Sequence, residues 1–327
     1  MISVLSGVWN SVEDMIVDYI DFNVTLWLLM PLLITFLLPL VIVLLLYVTA
    51  LILYVYRLHR YALLLAYGTD WRNASRSVVA AVWDAHGWIW HGYKVVGIEN
   101  IPTDEPVLFV YYHGAIPIDL YYFISKVFLF NSKLIHTVGD RFLFKCPGWS
   151  IISDVLKVIP GTIQTCSSIL KEGNMLAISP GGVYEAQFGD AYYQLMWKKR
   201  LGFAKVALDA KVSIVPMFTK NIREAFRSIS WGRKLWLRLY AATRFPFIPI
   251  YGGFPVKLKT YVGKPIAYDG TLTPEQLQQK VAAALDDLIS EHQKIPGSIF
   301  WALVERFYDL DKTNLTCLGL EHFRRLF

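Results

Sequence analysis

From Val24 to Tyr56 the chain runs for 33 residues without a charge, with Pro31 and Pro39 inside the run. A bilayer-crossing helix needs roughly 20 apolar residues. This run is therefore either one long tilted helix or two half-spans folded back as a hairpin. Prolines are tolerated in both, because neighbouring groups re-satisfy the freed carbonyls. A cleavable leader would carry a basic stretch before a short apolar one. Here Glu13, Asp14, Asp18 and Asp21 precede the run and no Lys or Arg does. Residues 24–56 are thus read as a transmembrane segment, and 1–23 as an acidic amphipathic segment lying at the interface.

The charges beyond the run give it a direction. Arg57, His59, Arg60, Arg72 and Arg76 crowd its exit. The positive-inside rule then places everything C-terminal of it in the cytosol. That body carries 32 basic and 22 acidic residues, a formal +10, which suits anionic head groups or anionic substrates. No nucleic-acid recognition motif accompanies the charge, so nucleic acid is not the expected partner. Cys146, Cys166 and Cys317 have no metal-like spacing and read as reduced thiols.

Residues 57–95 have an amphipathic helical pattern with Trp71, Trp83, Trp88 and Trp90, and are read as juxtamembrane. From residue 96 to the end, short apolar runs alternate with longer amphipathic ones. Strands are expected at Val107–Tyr112, Lys133–Val138, Met175–Ser179, Val212–Phe218 and Val256–Val262. Helices are expected near 119–130, 162–172, 192–210 and 273–293. The last opens on Thr273-Pro274-Glu275-Gln276, a capping box with proline at the first helical position. Such alternation predicts an α/β domain around a mostly parallel sheet. Residues 229–255 stand apart. Trp231, Arg233, Lys234, Trp236, Arg238, Tyr240 and Arg244 precede Phe245-Pro-Phe-Ile-Pro-Ile-Tyr251. Two readings stay open there: an interfacial helix with an apolar loop entering the bilayer, or a helix packing its Trp residues in the core.

Three segments carry residues suited to chemistry. His113 follows an apolar strand, and Asp119 lies in the first turn of the next helix. An ionised carboxylate fixes the tautomer of a neighbouring imidazole and supports its protonated form, whereas the plain role of Asp119 is helix capping. In Ser179-Pro-Gly-Gly-Val-Tyr-Glu185, Gly181 and Gly182 free backbone N–H groups for an anion or oxyanion. Glu185 is read as positioning a hydroxyl or a cation, or as a solvated charge. In Gly139-Asp140-Arg141-Phe142, Arg141 is read as a phosphate contact or a surface cation. There is no G-x-S-x-G elbow, nucleotide loop or H-E-x-x-H pair.

In order and spacing these elements resemble the glycerolipid acyltransferase superfamily over roughly residues 96–270. The elements are His113 with Asp119, Asp140-Arg141-Phe142 with Pro147-Gly148, Pro180-Gly181-Gly182 with Glu185, and Ile214-Val215-Pro216-Met217. The Pro-Gly-Gly form resembles the diacylglycerol acyltransferase 2-like branch. The superfamily pattern is His-x4-Asp, whereas five residues separate His113 and Asp119 and position 118 is Ile. The resemblance implies a membrane-bound O-acyltransferase of the endoplasmic reticulum that esterifies a mono- or diacylglycerol hydroxyl. It implies a fatty acyl donor (acyl-CoA, or else a phospholipid) as co-substrate, with no metal and no resident cofactor. His113 would be the general base, oriented by Asp119. Gly181, Gly182, Glu185 and Arg141 would bind substrate. A phosphorylated acceptor, or a lipid-binding scaffold without activity, are the competing expectations.

Overall fold

The computed structural model describes residues 22–58, 71–102, 105–131, 133–197 and 199–308. The proposed N-terminal amphipathic segment, most of the 57–70 linker and Cys317 lie outside these residues, apart from Phe22 and Asn23, which begin the first helix.

The uncharged run is one continuous helix, α1 (Phe22–Leu58), which passes through Pro31 and Pro39. At 1.5 Å per residue its 37 residues extend about 55 Å. Leu29–Tyr54 is long and apolar enough to cross a membrane. The hydroxyls of Thr35 and Thr49 donate to Leu32 O and Leu45 O, so they are satisfied within the helix. One face, with Thr35, Leu38, Pro39, Ile42, Leu46, Thr49, Ala50 and Leu53, is buried or half-buried. Their spacing of three and four residues makes a single stripe along the helix. The remaining faces are apolar and bare: Leu33, Leu40, Leu44 and Leu51 are each about 60% exposed.

The body begins with α2 (Trp71–His91) and a short edge strand, β1 (Lys94–Val96). Then come β2 (Val107–Tyr111), α3 (Ile118–Asn131), β3 (Ile135–Gly139), α4 (Trp149–Leu156), β4 (Val158–Pro160), α5 (Ile163–Lys171) and β5 (Met175–Ile178). These are followed by α6 (Gly182–Phe188), α7 (Gly202–Ala210), β6 (Ser213–Lys220), α8 (Ile222–Ala225) and β7 (Phe226–Ser228). Last come α9 (Arg233–Thr243), β8 (Ile250–Gly252), β9 (Lys259–Val262), α10 (Pro274–His292) and α11 (Ile299–Phe307). Seven strands form one sheet in the order β1-β9-β6-β2-β5-β3-β4, and β7 pairs with β8 in a separate ribbon. Only β6–β9 is antiparallel in the large sheet, as expected for an α/β domain. All five residues of β2 are buried, because a central parallel strand is covered on both faces.

α2 packs along α3, with Trp83 against Tyr121 and Tyr122. α10 keeps its capping box. Thr273 Oγ1 accepts from Gln276 N–H at 3.2 Å and Gln276 Oε1 accepts from Thr273 N–H at 2.8 Å. Its buried residues Leu277, Val281, Leu285 and Ile289 recur every fourth position. Two expectations shift. The helix expected over 192–210 is confined to Gly202–Ala210; ahead of it Tyr193 is left-handed (φ 56°) and the Met196 N–H is taken by Glu185 Oε1 instead of a helical carbonyl. The strand expected from Val256 begins at Lys259.

Candidate active site

Open α/β sheets bind ligands beyond the carboxyl ends of their strands. Three neighbouring strands, β2, β5 and β3, end there in the three chemistry-bearing segments. Val110 pairs with Ile178, and Thr137 with Ala177. That register brings the segments carrying His113, Gly181 and Arg141 to the same edge of the sheet, on strands about 4.8 Å apart. Segments 30 to 70 residues apart in the chain thus meet along one edge.

His113 lies just past β2, its ring stacked on Tyr111 (centroids 6.1 Å apart). Gly114 leaves room for the close approach of Ile222, since a side chain there would collide with it. Nδ1 of His113 is 2.7 Å from Gly114 O. As the carbonyl only accepts, Nδ1 carries the hydrogen and Nε2 keeps its lone pair. Burial, helped by the nearby Arg223 cation, pushes the imidazole down to about 4. At neutral pH the ring is therefore an uncharged base.

Asp119 is placed differently from the expected dyad. Among the described residues no hydrogen bond joins it to His113, and its buried Oδ1 has no partner. The chain geometry explains this. Each added residue turns a helical side chain by about 100°, and the position that the usual His-x4-Asp spacing would give the carboxylate is Ile118, one residue earlier and fully buried. Asp119, the second residue of α3, meets Thr219 instead. The Thr219 hydroxyl is 2.8 Å from that of Thr260, which is 2.8 Å from Tyr93 Oη. A buried hydroxyl chain thus runs from Tyr93, just before β1, across β9 and β6 towards the carboxylate. Burial raises Asp119 to about 6, opposed by the Thr219 hydrogen bond and by backbone N–H groups.

Glu185 is completely buried, neither solvated nor open to a substrate. Its Oε2 accepts from His113 N–H and its Oε1 from Met196 N–H, both at 2.9 Å. It fixes the backbone on which His113 sits. Burial raises its carboxyl, opposed by those two N–H groups and by Arg223 and Arg200. Gly181 is compressed against the Glu185 side chain, where any Cβ would overlap it. The N–H of Gly182 donates to Ser179 O at 3.2 Å, closing the turn. Arg141 is exposed on the rim.

Two cations were not singled out from the sequence. Arg223, buried to 1% exposure, donates through Nε to Tyr112 Oη, and through its two amino nitrogens to Ala186 O, His113 O and Glu185 O. It ties the end of β2 to α6. Arg200 Nη1 donates to Pro180 O and Gly181 O, at 3.0 and 2.6 Å, and so holds the Pro-Gly-Gly turn. Beside α3 lies a narrow apolar cleft of about 60 Å³, lined by Leu46 of α1 with Trp83, Leu120, Tyr121, Trp149 and Ile152.

The Acyltransferase family matches residues 92–220, which hold all of these loops. Over 92% of its length, and 92% of the relative's, the chain is 48% identical to the human "DGAT1/2-independent enzyme synthesizing storage lipids". The chain belongs to the glycerolipid acyltransferase family. This acyltransferase is also 26% identical to bovine 2-acylglycerol O-acyltransferase 1, over 68% of its own length and 78% of that protein's. The crystal structure of the 1-acyl-sn-glycerophosphate acyltransferase PlsC from Thermotoga maritima aligns with 75% of the acyltransferase and 96% of its own chain. The identity there is 18% and the TM-score 0.47. The enzyme is thus a membrane-associated glycerolipid O-acyltransferase in which, among the described residues, one apolar helix long enough to cross a membrane precedes the α/β body.

Proposed function

We propose that the enzyme transfers a fatty acyl group from acyl-CoA to the free hydroxyl of a mono- or diacylglycerol, with His113 as general base. Nε2 of His113 takes the hydroxyl proton as the acceptor oxygen attacks the thioester carbon. The C–S bond then breaks, and the departing thiolate recovers the proton from the imidazolium. The step asks for no metal or resident cofactor. The observation that carries it is His113 itself: a neutral imidazole with a fixed tautomer on the sheet's carboxyl edge, its backbone N–H bound to Glu185 of the Pro-Gly-Gly segment. Asp119 supports the imidazolium once substrate has drawn the two together, and Arg141 meets an anionic part of the donor. Gly181 and Gly182 shape the turn that receives the acceptor, and Glu185 holds it. The acyl chain enters at the apolar cleft beside α3, whose lining of Leu46, Trp83, Leu120 and Ile152 matches hydrocarbon.

The neutral acceptor is supported by the Pro-Gly-Gly turn of the diacylglycerol acyltransferase 2-like branch, and by the names that the relatives carry. The exposed Arg141 favours a second reading, a lysophospholipid or glycerol-phosphate acceptor. Purified enzyme given labelled acyl-CoA and each acceptor in turn is expected to form ester on mono- or diacylglycerol. Ester on lysophosphatidic acid alone would reverse the assignment. The setting we infer is the endoplasmic reticulum membrane with the body in the cytosol, where protease added to sealed microsomes should digest it.

The Asp119 role has its own signature. With its carboxyl near 6, activity that needs Asp119 ionised falls as pH drops through about 6, whereas His113 alone would hold activity down to about 4. Thr219 lowers the Asp119 value, so Thr219→Val should move the acid limb of kcat/KM to higher pH. A limb that stays in place removes Asp119 from the mechanism.

A further inference from the structure

Residues 229–255 gave two open readings in the sequence, and the structure closes one of them. α9 has no buried residue, so it is not a core helix. Trp231 is 81% exposed, Leu235 54% and Phe247 51%. Lys234, Leu235, Arg238, Ala241 and Ala242 make the outward face, while Trp236, Leu237 and Tyr240 are half-buried on the inward one. The segment carries four cations, Arg233, Lys234, Arg238 and Arg244, and no acidic residue. Large rings exposed at both ends of a cationic helix make a poor surface against water. They fit the boundary between head groups and acyl chains.

Two observations fix what covers this face. It is continuous with the apolar helix: Tyr251 of β8 rests on Phe36 of α1 (ring centroids 6.2 Å apart), and Gly253 is packed on Leu38. It also borders the catalytic edge. Tyr240 and Arg233 lie on the ring of Phe188, at the end of the helix that starts in the Pro-Gly-Gly turn, and Phe245 touches Phe142 beside Arg141.

We propose that α9 and its flanking rings are a second bilayer contact, distinct from α1, that seats the catalytic edge on an anionic lipid surface. Lys234 and Arg238, on the outward face, meet lipid phosphates and carboxylates. Trp231, Leu235 and Phe247 enter the acyl boundary. The attraction is electrostatic and partly exposed, so salt weakens it. None of this depends on which acceptor the enzyme uses.

The test places a nitroxide on Leu235→Cys in the full chain reconstituted into phosphatidylserine-containing vesicles, with the chain lacking the added cysteine as background. Oxygen, concentrated in the bilayer, is expected to relax the label more than a water-soluble nickel chelate does. Relaxation dominated by nickel would overturn the proposal. So would a label reached by neither reagent, since that means α9 is covered by protein. As a second arm, Lys234→Glu with Arg238→Glu should lower activity on bilayer-embedded acceptor about tenfold. Activity on a short-chain acceptor in detergent should be kept. Equal losses in both settings would also count against it. The spin-label result does not depend on catalysis, so it fails or stands separately from the acceptor assignment.

Discussion

His113→Ala is expected to lower acyl transfer by about 10²–10⁴-fold, the usual contribution of a positioned general base. Folding should survive the change. The ring is only half-buried and stacks on one neighbour, Tyr111, while the backbone bonds to Glu185 and Arg223 use the N–H and C=O of residue 113, which alanine keeps. The comparison is kcat/KM of wild type and variant at equal amounts of folded protein, with thermal unfolding as the control. Activity within about threefold of wild type would remove His113 from catalysis and favour a lipid-binding scaffold. A neutral imidazole with a pKa near 4 is a weak base in water. Here it is asked only to accept a proton as the acceptor oxygen commits to the thioester carbon. A carboxylate brought alongside at that moment strengthens it most.

The largest stability effect is expected at Arg223. One guanidinium bridges His113 O, Glu185 O, Ala186 O and Tyr112 Oη, all away from water. Arg223→Leu keeps much of the volume and takes the guanidinium donor from all four, of which Glu185 O keeps a second, the N–H of Gly189. It also removes a cation that favours the ionised form of Glu185. Removing one partner of a buried charged network costs roughly 3–5 kcal/mol, or on the order of 10 °C in Tm for a chain of this size. Arg223→Lys should recover little, because a compact ammonium cannot reproduce a planar fork spanning two segments. Differential scanning fluorimetry of the three proteins measures this directly. A Tm within about 2 °C of wild type for Arg223→Leu would contradict the buried-bridge account.

The sequence made some of this legible and hid the rest for definite reasons. The apolar runs at 107–112 and 175–179 fell on β2 and β5, because central parallel strands need continuous apolar residues. The Thr273–Gln276 box marked the start of α10, since capping is read over four neighbouring residues. His113, Gly181 and Arg141 were found one by one, but their common edge required the strand order, which no local pattern carries. Arg223 was invisible because Asn221-Ile-Arg-Glu-Ala225 reads as a short polar helix. Its burial comes from partners such as His113, 110 positions away. Glu185 was read as a contact for substrate or solvent and is a clamp on backbone N–H groups instead, a difference that only burial decides. The Thr219–Thr260–Tyr93 chain escaped for the same reason, as its members come from β6, β9 and the residue before β1, which only strand pairing brings together.

The stripe on α1 makes the apolar helix a strut, not a leash. Thr35 to Leu53 lie against the body over about 27 Å of helix. The distance from His113 to the lipid-facing leucines is therefore set by side-chain packing and not by the slack of a linker. An enzyme on a leash could sample a neighbouring vesicle; one braced in this way stays in a fixed position against its own membrane. With the enzyme in one vesicle population and the acceptor in another, product should appear only after the two are fused.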